Sequence, residues 1–234
     1  MSGGSPAGPD VLEVVERRFE RRGTWFGEDN VVRRLTVADY VSLVALLFGW
    51  TCVVLFALGE PYWAVLAMLV GYGFDKLDGY VARRLGVSSP FGRQVDSYID
   101  VFVYLVPAAL AYHYTLSPHP LATVVVGFAV LAFGGLRLLR HNDEGFLENE
   151  AGESCYHGTT VVHTNVVVVA CSLVAAVLAL PTLWGWLAGA LVVGVCPLMV
   201  SEYRAPKTDT AHAVGGVVVL VVAATALALE YGVL

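Results

Sequence analysis

From residue 40 onward the chain alternates long apolar runs with short polar breaks. The runs fall at residues 40–58, 62–74, 101–114, 121–139, 160–180, 183–200 and 213–229. Pro61, Pro118, Pro120 and Pro181 stand in the breaks, where a residue with a fixed φ and no N–H interrupts a helix. Apolar runs of about 18 residues or more predict membrane-crossing helices. The second and third runs are too short alone. Each reaches spanning length only if its helix continues through the neighbouring charged segment, 75–85 or 92–100. The pattern therefore predicts charged side chains partly at membrane depth. Ahead of the first run, Val11, Leu12, Val15 and Phe19 share one helical face, with Glu13, Glu16, Arg17, Glu20 and Arg21 around the rest. That predicts an amphipathic helix lying on the membrane surface. Residues 1–9 are rich in Gly, Ser and Pro and read as a flexible tail. The expected organisation is a tail (1–9), a juxtamembrane amphipathic segment (10–38) and a transmembrane domain (39–234). The fold class is all-α and polytopic, with six to seven spans. The first apolar run comes too late and is too long for a cleavable leader.

Composition agrees and removes other classes. The 234 residues are 57% hydrophobic and 15% charged, where a soluble domain carries about 25% charge. A net charge of −6 with scattered arginines argues against nucleic acid as a partner. Charge also predicts orientation. All 14 lysines and arginines fall on one side of a seven-span arrangement: before the first span, between the second and third, after the fourth and after the sixth. By the positive-inside rule that side is cytoplasmic, as is the N-terminus. Cys52, Cys155, Cys171 and Cys196 form no C-x-x-C pair and read as buried thiols rather than metal ligands. Trp184 and Trp186, near a span end, read as an interfacial belt.

Chemistry concentrates in four carboxylates. Ionised groups at membrane depth are costly and mark function. Asp75 and Asp78 are spaced i, i+3 on one helix, and Asp96 and Asp100 i, i+4 on the next, so each pair shares a face. A tight turn over 86–90 makes the two helices antiparallel neighbours and lets the four carboxylates converge. Divalent metal relieves their repulsion, and an all-oxygen set suits Mg²⁺, Mn²⁺ or Ca²⁺. Two ions in one site form the clamp used for displacement at phosphorus. Gly79, Ala82 and Gly92 leave room near the backbone, and Arg83 offers a planar fork to phosphate oxygens. A cation-coupled transporter is the competing class. The carboxylates sit at helix ends rather than mid-membrane and no internal repeat is visible, which disfavours it. An inactive interaction protein on the same scaffold would not need all four aspartates.

From Asp75 the chain reads D-K-L-D-G-Y-V-A-R, then eight residues, G, three residues, D, three residues, D. This resembles the signature of the CDP-alcohol phosphotransferases, D-x2-D-G-x2-A-R-x8-G-x3-D-x3-D, with every fixed position filled. The resemblance implies a membrane enzyme in which a CDP-linked lipid gives its phosphatidyl group to an alcohol and CMP leaves. It implies two Mg²⁺ or Mn²⁺ ions, with Asp75, Asp78 and Asp96 holding the metals and the CDP pyrophosphate. Asp100 helps bind metal and takes the proton of the attacking hydroxyl. Gly79, Ala82, Arg83 and Gly92 shape the CDP pocket. Asp39 and Ser42 stand where the family often has Asn and Thr and would border the cytidine, although Asp39 equally suits a helix N-cap. The resemblance also implies a cell-membrane location with a cytoplasmic active site, and a homodimer as assembly.

Three stretches bear on the acceptor. The run 88–97, S-S-P-F-G-R-Q-V-D-S, resembles the phosphatidylserine synthase branch, as do R-L-L-R-H-N at 137–142 and L-M-V-S at 198–201. Arg137 and Arg140, a helical turn apart, suit a carboxylate, which serine has and glycerol or inositol lacks. Interfacial anchoring is the bland alternative for both. Asn142, Tyr156 and His157 are further candidate acceptor contacts, the last two in an acidic loop over 143–158. His163, Thr164 and Asn165 open the fifth span, lining the cavity or forming a satisfied polar cluster. The stretch after Asp100 departs from the serine branch and looks a little like the choline branch, while Val101 argues against glycerol phosphate and inositol phosphate as acceptors. The donor is CDP-diacylglycerol or, in an archaeal source, CDP-archaeol.

Overall fold

A computed structural model describes residues 30–145, 147–148, 154–206 and 209–234. The tail and most of the expected amphipathic segment lie outside these residues. Contacts divide the chain into Met1–Leu35 and Thr36–Leu234. In the first unit the described part is a short 3₁₀ turn, Val31–Arg34, whose N-cap Asn30 accepts from the Val32 N–H at 2.9 Å.

The second unit is an all-α membrane bundle. Its helices are α1 (Val37–Ala57), α2 (Pro61–Leu85), α3 (Pro90–Leu116), α4 (Pro120–Glu144), α5 (Val161–Val177), α6 (Leu183–Val195) and α7 (Asp209–Glu230). A 3₁₀ turn, Cys196–Val200, extends α6. Among the described residues five helices are long and apolar enough to cross a membrane by length and composition: α1, α3, α4, α6 with its extension, and α7. α2 is 25 residues long but carries the charged motif, and α5 has 17 residues. Both charged segments are helical continuations of short apolar runs, as the pattern requires. The outward faces are apolar: Phe128 is 71% exposed and Leu220 70%. That is the inverse of a soluble bundle and suits lipid.

Local chemistry sets the helix ends. Thr36 and Asp39 form a capping box at the start of α1. Gly86 closes α2 in the left-handed region at φ 66°, and Ser89 caps α3 by accepting from the Gly92 N–H at 2.9 Å, with Pro90 in its first turn. α3 runs through the middle of the bundle, with Ile99, Val103, Leu105 and Tyr112 almost fully buried. It widens to a π-turn at Val101–Leu105. Pro107 accounts for this: it has no N–H, and its ring would collide with the carbonyl four residues back. α1 packs against the π-turn through Gly49, where a Cβ would stand 2.6 Å from the Phe102 carbonyl oxygen. At the opposite end from the aspartates the Trp63 indole donates to Glu230 at 2.8 Å, tying α2 to α7. Trp184 is half-buried and donates to the Cys171 carbonyl at 3.1 Å, so it packs a helix pair, whereas Trp186 is exposed.

The pattern does not foretell three short strands. β1 (Leu147–Glu148), β2 (Ser154–His157) and β3 (Arg204–Pro206) form an antiparallel sheet in that order. β2 pairs with β3 through Cys155–Pro206, Tyr156–Ala205 and His157–Arg204. The sheet joins the loop after α4 to the loop after α6, at the end of the bundle that holds the aspartates.

Candidate functional site

α2 and the first turns of α3 scarcely touch each other, while α1 packs against both. The gap is where the carboxylates meet. Ligand atoms of Asp75, Asp78 and Asp96 lie within 4.8 Å of one another. Asp75 and Asp78 are buried and Asp96 half-buried. Asp100, one turn deeper, is outside this trio and faces the charges of Asp75 and Asp96. The expected convergence of four is thus three together with a fourth against them. Lys76 donates to Asp75 Oδ2 at 2.9 Å and Tyr104 to the same oxygen at 2.6 Å. The Ser42 hydroxyl donates to Asp78. One lysine does not balance this acidity. Three clustered carboxylates with an oxygen-only donor set fit a hard divalent cation.

The residues expected around the CDP group are distributed more unevenly. Ser42 is tied to Asp78. Asp39 is the N3 residue of the capping box rather than the N-cap, its Oδ2 accepting from the Thr36 N–H at 2.6 Å and hydroxyl at 2.8 Å. Its other oxygen lies against Gly92, where a Cβ would come within 3.2 Å of it. The exposed Arg83 folds back over Gly79, where a Cβ would stand 3.2 Å from its guanidinium. Gly79 and Gly92 thus keep the walls of the gap low, and Ala82 is half-buried between Gly79 and the end of α2.

The two arginines of α4 part company. Arg137 is 5% exposed, and its Nε is buried with no hydrogen-bond partner among the described residues. Its guanidinium lies 5.9 Å from the centre of the Tyr156 ring and faces the charges of Asp100 and Asp96. Arg140 turns elsewhere. It donates to the carbonyls of Val200 (3.0 Å), Ser201 (3.2 Å), His157 (2.9 Å) and Met199 (2.9 Å). The expectation that it grips an acceptor is therefore corrected: its fork is already filled by backbone, and it ties β2 to the end of α6. His157 does not join the aspartates either. Successive strand residues face opposite ways, and while Tyr156 meets Arg137, His157 Nδ1 lies 2.8 Å from Glu144 Oε2. Asn142 accepts from the Ser97 hydroxyl at 3.1 Å, linking α4 to α3 beside the motif. Its Oδ1 is therefore engaged. His163 caps α5 with Thr160 at 2.7 Å, and Asn165 donates to the Tyr104 carbonyl at 2.9 Å. These two form satisfied contacts.

Sequence reasoning misses Tyr104. A signal exists, because Asp96, Asp100 and Tyr104 follow at intervals of four along one helix face.

The CDP-alcohol phosphatidyltransferase family model matches residues 35–201, which takes in the aspartate trio, Asp100 and both α4 arginines. The chain belongs to the CDP-alcohol phosphatidyltransferase family. Within the family it is 32% identical over 122 residues to a CDP-diacylglycerol–serine O-phosphatidyltransferase of Methanocaldococcus jannaschii, covering 50% of this chain and 56% of that protein. It is 28% identical over 117 residues to an archaetidylserine synthase of Methanothermobacter thermautotrophicus, covering 49% of this chain and 50% of the relative. A CDP-diacylglycerol–serine O-phosphatidyltransferase of Saccharomyces cerevisiae is 31% identical over 121 residues, 48% of this chain and 43% of the relative. The matches span about half the length of these relatives.

Proposed function

We propose that this phosphatidyltransferase-family protein transfers the phosphatidyl or archaetidyl group of a CDP-linked lipid to the hydroxyl of L-serine, releasing CMP. Family membership supports the reaction class, and the relatives' names support serine. The observation that carries the acceptor assignment is Arg137: a buried guanidinium with an unpartnered Nε beside the aspartates. Unpaired buried donors are costly and rare, so a ligand carboxylate is the partner that explains this one.

Asp75, Asp78 and Asp96 would hold two Mg²⁺ or Mn²⁺ ions, with Asp100 adjoining. Bound there, such ions supply charge neutralisation for the pyrophosphate and for the leaving CMP. Asp100 accepts the proton of the serine hydroxyl. As it does so, the serine oxygen bonds to the lipid-bearing phosphorus, the bond to the bridging oxygen breaks, and that oxygen leaves with CMP. Arg137 holds the serine carboxylate under Tyr156, which excludes water from one side. Arg83, Gly79, Ala82 and Gly92 border the nucleotide. The basic side chains at this end of the helices support a cytoplasmic active site in the cell membrane.

The test is CMP release from purified protein given CDP-diacylglycerol or CDP-archaeol with serine, inositol phosphate, glycerol phosphate or choline. Release with serine alone is the expected result, and the better donor identifies the lipid. Release with another alcohol but not serine refutes the acceptor assignment.

A further inference from the structure

The π-turn after Asp100 is a meeting point of α2, α3 and α5. Tyr104, 2% exposed, sits in that turn of α3, and its hydroxyl donates to Asp75 on α2 at 2.6 Å. Asn165 on α5, 4% exposed, donates its Nδ2 to the Tyr104 carbonyl at 2.9 Å. The contact fixes the backbone from which the phenol projects. Asn165 also touches the Met68 sulfur at 3.3 Å, so α5 contacts the helix that carries Asp75 as well, two turns before the carboxylate.

Where the donors fall matters. Tyr104 and Lys76 both reach Oδ2 of Asp75. Oδ1 is left clear of them, and the carboxylate is held through its other oxygen by one donor from its own helix and one from α3. A carboxylate that must bind a cation gains affinity when its rotamer is fixed in advance, and loss of such an outer hydrogen bond weakens metal binding by about ten- to a hundredfold.

We propose that Tyr104 is a positioning residue for the metal-binding carboxylate Asp75, and that Asn165 holds the turn that carries it. This rests on the metal reading of the aspartate trio. Tyr104→Phe keeps the ring and its packing and removes only the hydroxyl. Mn²⁺ affinity of the purified, substrate-free protein, read by electron paramagnetic resonance of the free ion, should fall by about ten- to a hundredfold. The metal concentration for half-maximal CMP release should rise in parallel, while kcat at saturating metal returns toward wild type. Asn165→Ala should weaken Mn²⁺ binding in the same direction by a smaller factor. It also serves as the measured variant if Tyr104→Phe does not fold. A merely structural role would lower thermal stability without moving Mn²⁺ affinity. Unchanged Mn²⁺ affinity in both variants overturns this inference alone. Wild-type protein that binds no Mn²⁺ overturns the metal reading along with it.

Discussion

Replacing Arg140 by alanine removes four hydrogen bonds at once, from one guanidinium to the carbonyls of His157, Met199, Val200 and Ser201. Bonds from a charged donor contribute about 1.5–3 kcal/mol each. The side chain is half-buried, so water replaces it at some of these carbonyls. We therefore expect a net loss of about 2–4 kcal/mol rather than the full sum. The loss is local, because what Arg140 joins is the strand β2 to the segment after α6. Two amides report on that junction: the Gly158 N–H donates to the Tyr203 carbonyl at 2.6 Å and the Thr159 N–H to that of Leu198 at 3.1 Å. At about 1.4 kcal/mol per decade, their hydrogen exchange should accelerate by about 30- to 700-fold. Peptide-level exchange in detergent measures this directly. Arg140→Lys should restore only part of the protection, because an ammonium lacks the planar fork that reaches several carbonyls. Arg137→Ala provides the contrast. It should leave exchange at Gly158 and Thr159 unchanged and raise the KM for serine by about ten- to a hundredfold, the worth of a charge-assisted bond. The reasoning is refuted if Arg140→Ala leaves exchange at these amides untouched while raising the serine KM as Arg137→Ala does.

Other outcomes follow from the same geometry. Chelation with EDTA should abolish CMP release and Mg²⁺ or Mn²⁺ should restore it, with Asp78→Asn losing metal binding and turnover together; full turnover in chelator would sink the metal reading. Asp100→Asn should lower kcat by about 10²–10⁴-fold, the usual contribution of a positioned base, and leave donor KM little changed; near-normal kcat would remove Asp100 as the base. Gly158 has φ 71°, and a Cβ there would run into the Met199 carbonyl and lie 2.8 Å from that of Leu198. Gly158→Ala should therefore open the same β2 junction as Arg140→Ala and accelerate the same amides, and wild-type exchange in that variant would show that the junction does not depend on the close approach.

The aspartate site was legible because its determinants are local. Spacings of three and four within continuous helices give each helix its acidic face, and the turn of Gly86 and Pro90 sends the chain back. The two helices do not pair directly as the turn suggests; α1, packed against both, sets them across the gap where Asp75, Asp78 and Asp96 meet. Even the length of the flanking helices could be inferred, since an apolar run too short to span a membrane must borrow from its charged neighbour. Arg137 and Arg140 mark where such reasoning stops. They are the same residue type, three positions apart on one helix, and both end the same apolar run. What separates them is what each meets. Arg140 reaches carbonyls 17 to 61 positions away, one in a four-residue strand and the others in or just after a five-residue 3₁₀ turn. Elements that short carry no periodicity, and backbone acceptors carry no side-chain signature. Tyr104 lies between the two cases. Its interval of four from Asp100 puts it on the right face of α3, yet its partner Asp75 stands 29 positions earlier on another helix. A side chain's face can thus be read locally, whereas its partner depends on which helix the bundle sets opposite that face.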